Sequence, residues 1–160
     1  MTIAGAGAET ELQFEHCVLA TGSYPARVPS LSIDSARVLD STTALDLPDI
    51  PGSLLVVGGG YIGLELGTVY ATLGTRVSVV EMTSGLLPGA DRDLVNVLHK
   101  RVEKLFAAIM LNTKVLNVAE ASGGLRVVFD GDVTPKEQTF DRVLVAVGRR
   151  PNSMIPGLDS

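Results

Sequence analysis

Apolar residues recur along this chain with three kinds of spacing, and the changes of spacing mark its elements. From Leu54 to Val57 the run is unbroken, as expected of a strand buried on both faces. From Tyr61 to Leu73 the residues Ile62, Leu66, Val69, Tyr70 and Leu73 return every three or four positions. That predicts a helix with this stripe turned inward and Gly74 just past its end. Val77–Val80 predicts a second doubly buried strand, ending at Glu81. Asp91 is placed to cap a second helix whose inward stripe is Leu94, Leu98, Val102, Leu105 and Phe106. Ala108–Leu111 predicts a third strand. The spacing then drops to two over Val115–Val118 and Leu125–Phe129, with Ser122-Gly123-Gly124 between them as a hairpin signal. A short strand over Gln138–Phe140 completes an antiparallel meander, and Val143–Val147 is a last doubly buried strand ending at Gly148.

The front of the chain is less regular. Cys17-Val18-Leu19-Ala20 predicts one buried strand, followed by a turn at Thr21-Gly22-Ser23 and an extended segment past Pro25 and Pro29. Residues 31–52 are polar and punctuated, and predict a linker with one short helix over Thr43–Leu47. Asp40, Ser41 and Thr42 offer its N-cap, and Pro48 and Pro51 close it. From residue 53 onward the order is β-α-β-α-β, a meander, and a final β. Right-handed crossovers place the first three of these strands and the last in one parallel sheet.

Composition narrows the function classes. A chain of 160 residues is about one domain and long enough to bury a core without cross-links. Its formal charge of −5 gives no basic footprint for nucleic acid or an anionic membrane. A single cysteine, Cys17, excludes an intrachain disulfide and multi-cysteine metal sites, and its apolar neighbours predict a buried structural thiol. His16 and His99 lack metal-ligand spacing, so no metal is expected. No Gly-x-Ser-x-Gly elbow supports a serine hydrolase. The most membrane-like stretch, residues 54–73, opens on three glycines and has no basic flank before it, so a spanning helix is not expected. No targeting segment is visible at the front, and a soluble cytoplasmic protein is the expectation.

The chemical signal is Gly58-x-Gly60-x-x-Gly63. By itself the pattern is weak in a chain with 17 glycines, but here it follows a predicted strand and opens a predicted helix. Gly58 suits the tight turn, Gly60 the close approach of a pyrophosphate, and Gly63 the close packing of helix on strand. The helix N-terminus offers unpaired N–H groups and a positive dipole end to the phosphates. Glu81, at the end of the next strand, is placed to accept hydrogen bonds from an adenosine ribose. The residues after it, Met82-Thr83-Ser84-Gly85-Leu86, include no cation for a 2′-phosphate, which favours NAD over NADP. FAD uses a similar fingerprint, and the pattern alone leaves it open. Glu65 sits in the first turns of the same helix, either as a carboxylate favouring a helix N-terminus or as part of a site. The fold class that follows is α/β, a Rossmann-type parallel sheet with helices on both faces and an inserted antiparallel β-meander.

Several segments together resemble one known family. They are VVGGGYIGLE ending at Glu65, then LGTVYATLGTRVSVVEM and LLPGADRDLV, with Ala20-Thr21-Gly22-Ser23 before them and Ala146-Val147-Gly148-Arg149-Arg150-Pro151-Asn152 after. They resemble the pyridine nucleotide–disulfide oxidoreductases, and among these the dihydrolipoamide dehydrogenases, from about Phe14 to Asp159. The resemblance implies an NAD-binding domain over residues 53–160. Residues 1–30 would be a remnant of an FAD-domain strand and its extended linker. It implies that Gly58, Gly59, Gly60, Tyr61, Ile62 and Gly63 hold the pyrophosphate and the nicotinamide side, with Glu65 near the carboxamide. Glu81 would take the adenine ribose, Val115 the adenine face, and Gly148 with Arg149 the closing loop. Thr21, Gly22 and Ser23 would contact FAD.

In that family dihydrolipoamide reduces a disulfide, electrons pass to FAD, and a hydride reaches NAD. The resemblance therefore implies NAD(H) as the bound nucleotide, a flavoprotein oxidoreductase with a homodimeric full-length form, and a lipoyl-bearing subunit as partner. The chain departs from the family's pattern as well. No earlier Gly-x-Gly-x-x-Gly precedes Ala20, the redox cysteine pair is missing, and so are the family's later Gly-Asp motif and His–Glu pair. The expectation is a domain-sized fragment, inactive alone and with no catalytic residue of its own. Two other readings stay open. One is a related NADH-dependent disulfide reductase or NADH oxidase, and the other is a non-catalytic NAD-sensing module.

Overall fold

The structure, a computed structural model, describes residues 2–5, 7–47 and 49–155. Pro48, expected to close the short helix, lies outside them. The chain divides into two compact units, Met1–Ser23 with Pro151–Ser160, and Tyr24–Arg150.

In the first unit, β1 (Thr2–Gly5) and β2 (Ala8–Glu11) pair antiparallel, with Thr2 opposite Glu11 and Gly5 opposite Ala8. No apolar periodicity in residues 2–11 marks this hairpin. The expected buried strand over Cys17–Ala20 does not form. Those residues belong to no strand, Val18 is 92% exposed, and Cys17 is an exposed free thiol, not a buried one. An apolar run becomes a strand only where a neighbouring strand takes its N–H and C=O groups, and none flanks this run among the described residues.

The chain then continues through β3 (Ser23–Pro25), β4 (Val38–Leu39), β5 (Ser53–Val57), α1 (Tyr61–Thr72) and β6 (Arg76–Val80). Next come α2 (Arg92–Val102), β7 (Ala108–Met110), β8 (Thr113–Ala121), β9 (Gly124–Gly131), β10 (Glu137–Phe140), β11 (Arg142–Val145) and β12 (Arg149–Pro151). Five strands form one parallel sheet in the order β4-β11-β5-β6-β7, and β8, β9 and β10 form a separate antiparallel sheet. From residue 53 onward each expected strand occurs, with bounds within three residues of the expected ones. The segment read as a linker contributes an extra edge strand, because β4 pairs with β11 at Val38–Val143 and Leu39–Leu144. Its short helix is a 3-10 turn over Thr43–Leu45. The Asp40 carboxylate accepts from the N–H groups of Thr42 and Thr43 at 2.8 and 2.9 Å.

The sheet has two differently covered faces. Leu54, Val56, Val77, Val79 and Leu144 pack with Leu64 and Tyr70 of α1, Val95 and Val102 of α2, and Phe106. Leu55, Val57, Val80 and Val143 pack with Val115, Val118, Leu125, Val127, Phe129 and Phe140 of the meander. The expectation of helices on both faces is therefore corrected: α1 and α2 share one face and the meander covers the other. A parallel pair needs a long crossover between its strands. Between β7 and β11 that crossover is the three-stranded meander instead of a helix.

The inward stripes of both helices are also shifted. On α1 the buried residues are Gly63, Leu64, Gly67 and Tyr70, while Val69 and Leu73 are exposed. Glycines at 63 and 67 let the helix backbone settle on Val56, so the contact face is the small-residue face that an apolar count overlooks. Tyr70 reaches across and donates its hydroxyl to the carbonyl of Ala44 at 2.8 Å. On α2, Val95, Leu98, Val102 and the following Phe106 face the core, whereas Leu94 is 70% exposed and Leu105 also faces out. Asp91 holds the N-cap position, but its side chain makes no capping hydrogen bond.

Candidate functional site

The sheet order reverses between β5 and β11: β5 leads to β6 and β7 on one side, and β11 and β4 lie on the other. In open parallel sheets the crevice for a ligand forms at the carboxyl ends of the strands at such a switch point. A cavity of about 630 Å³ opens there, within the roughly 300–1,000 Å³ usual for small-molecule sites. Its walls come from the ends of β5 (Val57, Gly58, Gly60), β6 (Val80, Glu81, Met82, Thr83) and β11 (Ala146, Val147, Gly148, Arg149), and from the start of β8 (Thr113, Lys114, Val115). Tyr61, Ile62, Pro88, Val28 and Leu31 complete it. Tyr61 at 65% and Met82 at 69% exposure are large apolar side chains left open to solvent on its rim.

Backbone sterics build one end of the crevice. Gly58 has φ +109°, and a Cβ there would stand 2.5 Å from the carbonyl oxygen of Ala146. Its N–H is tied to the carbonyl of Val80 at 2.9 Å, and Ala146 N–H to that of Val57 at 2.8 Å. A Cβ on Gly63 would run into the Gly58 carbonyl oxygen and come within 2.9 Å of Val56 Cγ1. Both positions therefore need glycine for packing, and Gly63 itself does not line the cavity. Gly60 differs, since a Cβ on it would meet nothing within 4 Å and would project into open space. Gly60 is also the N-cap of α1, whose first helical hydrogen bond runs from Leu64 N–H to the Gly60 carbonyl at 3.0 Å. The N–H groups of the first turn are thus left for a ligand. An anionic diphosphate fits this geometry: open space over a glycine, at a helix start with unpaired donors.

A carboxylate organises the other end. Glu81 is 7% exposed, and its oxygens accept from Gly59 N–H at 2.7 Å and Thr83 N–H at 2.9 Å. It therefore ties the glycine loop to the end of β6 while lining the cavity. Each carboxylate oxygen keeps a further lone pair for a ligand hydroxyl. The start of β8 lies alongside, with Thr113 N–H bonded to the Glu81 carbonyl and Asn112 N–H to that of Thr83, both at 3.0 Å.

Of the residues singled out from sequence, Gly58, Gly60, Tyr61, Ile62, Glu81, Val115, Gly148 and Arg149 come together around this cavity. Gly59 stands behind it as the donor to Glu81. Glu65 is exposed on α1 and does not line the cavity. Thr21, Gly22 and Ser23 belong to the first unit, where Thr21 Oγ1 donates to the Asn152 carbonyl at 2.6 Å and Asn152 N–H to that of Gly22 at 2.9 Å. Arg149 donates to Ser41 Oγ at 2.7 Å. Sequence reading missed Val28, Leu31, Pro88 and above all Lys114, and named Met82 and Thr83 only for their lack of positive charge. Lys114 stands thirty-three residues beyond Glu81, and only the pairing of β8 with the end of β6 brings it near. Among the described residues no group of three or more His, Cys, Asp and Glu stands close enough to hold a metal ion, and no helix is long and apolar enough to cross a membrane.

Parallel sheet, switch-point crevice and glycine turn are the parts of a Rossmann-type α/β domain. Comparison with known proteins places it more closely: the pyridine nucleotide-disulphide oxidoreductase family model matches residues 2–157, and the chain belongs to that family. It is 43% identical over 154 residues to a dihydrolipoyl dehydrogenase of Vibrio parahaemolyticus, a match covering 96% of this chain and 32% of that protein. The solved structure of LpdA from Mycobacterium tuberculosis superposes with a TM-score of 0.83 at 29% identity, over 99% of this chain and 34% of that one. The water-forming NADH oxidase of Lactobacillus brevis, solved bound to NADH, gives a TM-score of 0.71 at 25% identity, over 91% and 33% of the two chains. The chain spans about a third of the length of the relatives it matches.

Proposed function

We propose that residues 53–160 carry the NAD(H) site of a dihydrolipoyl dehydrogenase, the flavoprotein that oxidises dihydrolipoamide through a redox disulfide and FAD. The observation that carries this reading is the crevice itself. One end is a glycine turn with open space over Gly60, and the other is a fixed carboxylate, Glu81. In this reading the turn and the first N–H groups of α1 hold the pyrophosphate. Glu81 accepts from the adenosine ribose, and Val115 lies along the adenine. Tyr61, Ile62 and Glu65 belong to the nicotinamide side, with Gly148 and Arg149 closing over the nucleotide. Thr21, Gly22 and Ser23 are assigned to the flavin. The nicotinamide supplies the redox chemistry when bound, and this chain's residues bind and orient it. Homodimer formation and contact with a lipoyl-bearing subunit are properties of the full-length protein in this proposal.

A second reading, an NADH oxidase, is favoured by one observation: the structural neighbour from Lactobacillus brevis is such an enzyme, solved with NADH. Both readings need the same nucleotide. Calorimetric titration of the purified chain with NADH and NADPH tests what they share. Saturable NADH binding with weaker NADPH binding is expected. A folded chain that binds neither nucleotide overturns the assignment.

A further inference from the structure

No cation follows Glu81 directly in the sequence, yet the fold brings one there from elsewhere. Lys114 lines the same cavity as Glu81, Met82 and Thr83. Its neighbour Thr113 donates its backbone N–H to the Glu81 carbonyl, which fixes where β8 starts relative to the end of β6. The Lys114 side chain is exposed and forms no hydrogen bond or ion pair with any described residue. Its partner in the β8–β9 register is Asp130, also exposed, and the two make no ion pair. The lysine is thus a cation beside the crevice, tied down by nothing.

Glu81 is the opposite case. Both its oxygens are engaged by backbone N–H groups, of Gly59 and Thr83, and it is almost wholly buried. A ribose 2′-hydroxyl donates to a carboxylate, whereas a 2′-phosphate brings about two negative charges against it. A carboxylate held at two points cannot swing aside to make room, so repulsion of the phosphate is built into the backbone of the loop. Phosphate recognition by lysine, in contrast, is a flexible point-charge contact.

We propose that Lys114 is a specificity-determining residue of this site. It stands within reach of the ribose 2′ position and sets how strongly the 2′-phosphate of NADP(H) is rejected, opposing the fixed charge of Glu81. Two consequences follow. The site discriminates less sharply than Glu81 alone dictates, and loss of the Glu81 charge is sufficient to admit NADPH, with no new arginine needed after β6. This inference rests on the NAD(H) reading of the crevice.

The test is a set of titrations of the 160-residue chain with NADH and NADPH, followed by nicotinamide fluorescence, in the wild type, K114A, K114R, E81Q and E81Q/K114A. The readout is the ratio of NADPH to NADH affinity, which loss of fold does not mimic. K114A is expected to lower the ratio by about five- to tenfold, the size of one partly screened charge contact, and K114R to restore it. E81Q is expected to raise the ratio, and K114A in the E81Q background to take that gain away. The K114A effect shrinks between low and high salt as screening shortens the field. Equal ratios in wild type and K114A overturn the proposal while leaving the nucleotide site standing. Should E81Q fold poorly, the K114A and K114R ratios decide alone. Failure of the folded wild-type chain to bind NADH overturns the underlying reading, and this proposal with it.

Discussion

The two ends of the crevice are made of different materials. At the glycine turn, Gly58 and Gly63 are confined by the Ala146 and Gly58 carbonyls and by the Val56 side chain. At the end of β6, shape is less confining, and the defining features are one fixed carboxylate and one free lysine. The contrast shows which kind of substitution each end tolerates. Steric confinement fails abruptly and ignores salt, because a methyl group either fits or does not. Electrostatic recognition fails by degrees and responds to ionic strength.

The strongest way to break this contrast is at Gly58. Gly58→Val places a β-branched residue at φ +109° with its Cβ 2.5 Å from the Ala146 carbonyl. The expected cost is about 1–3 kcal/mol of strain, read as a melting temperature lowered by roughly 5 °C or more. NADH affinity should collapse with it and should not be rescued by low salt. A Gly58→Val protein that melts and binds like the wild type would show that the turn is not sterically confined.

Glu81→Ala comes next. Loss of hydrogen bonds to a charged group is worth about 1.5–3 kcal/mol, so NADH affinity should fall roughly ten- to a hundredfold in a titration. The same change releases Gly59 N–H, which makes stability fall as well. If stability falls and NADH affinity does not, Glu81 is a strut for the loop and not a contact for the ribose.

Tyr70→Phe sharpens the comparison from outside the site. It removes the buried hydrogen bond to Ala44 while keeping the ring, at an expected cost of about 1 kcal/mol in urea unfolding. The ratio of NADPH to NADH affinity should not respond.

The smallest expected effect is one of pH. Burial pushes the Asp40 carboxyl up, but the N–H groups of Thr43 and Thr42, the Thr43 hydroxyl and the positive charge of Arg149 outweigh it. They hold the carboxyl below the ordinary carboxylate value. A folded-state pKa below the unfolded one contributes stability at pH values above the unfolded pKa. That contribution is lost as the pH falls through the folded value. Asp40→Asn keeps an accepting oxygen but loses the charge, so it should be less stable than wild type at neutral pH by up to about 1 kcal/mol, the scale of a largely exposed charge interaction. The gap should close as the pH drops below about 4, where the wild-type carboxylate begins to take up its proton. A gap that is constant with pH contradicts the assignment.

Much of this molecule was legible in the chain. The continuous runs Leu54–Val57, Val77–Val80 and Val143–Val147 became parallel strands, the last ending two residues early at Val145, because burial on both faces leaves no other pattern. The Gly58–Gly63 turn and Glu81 were legible because each residue type answers a steric or hydrogen-bonding demand that few others meet. What stayed hidden was whatever depended on a distant partner. Cys17–Ala20 read as a strand, but no neighbouring strand flanks it here. The face of α1 was misread because Gly63 and Gly67 bury backbone instead of side chains. The two helices share a face because the meander makes the third crossover, which no local pattern encodes. Lys114 was missed for the same reason, since local sequence around Glu81 carries no trace of β8.

The central claim is that a single dinucleotide spans the crevice from the glycine turn to Glu81. Its most direct test is the backbone amide spectrum of the isotope-labelled chain, recorded as NADH is added. The account predicts saturable shifts at both ends with one common affinity, at Gly58–Gly63 and Gly148 and also at Glu81–Thr83 and Lys114–Val115. Shifts confined to one end, or centred outside these segments, would contradict it.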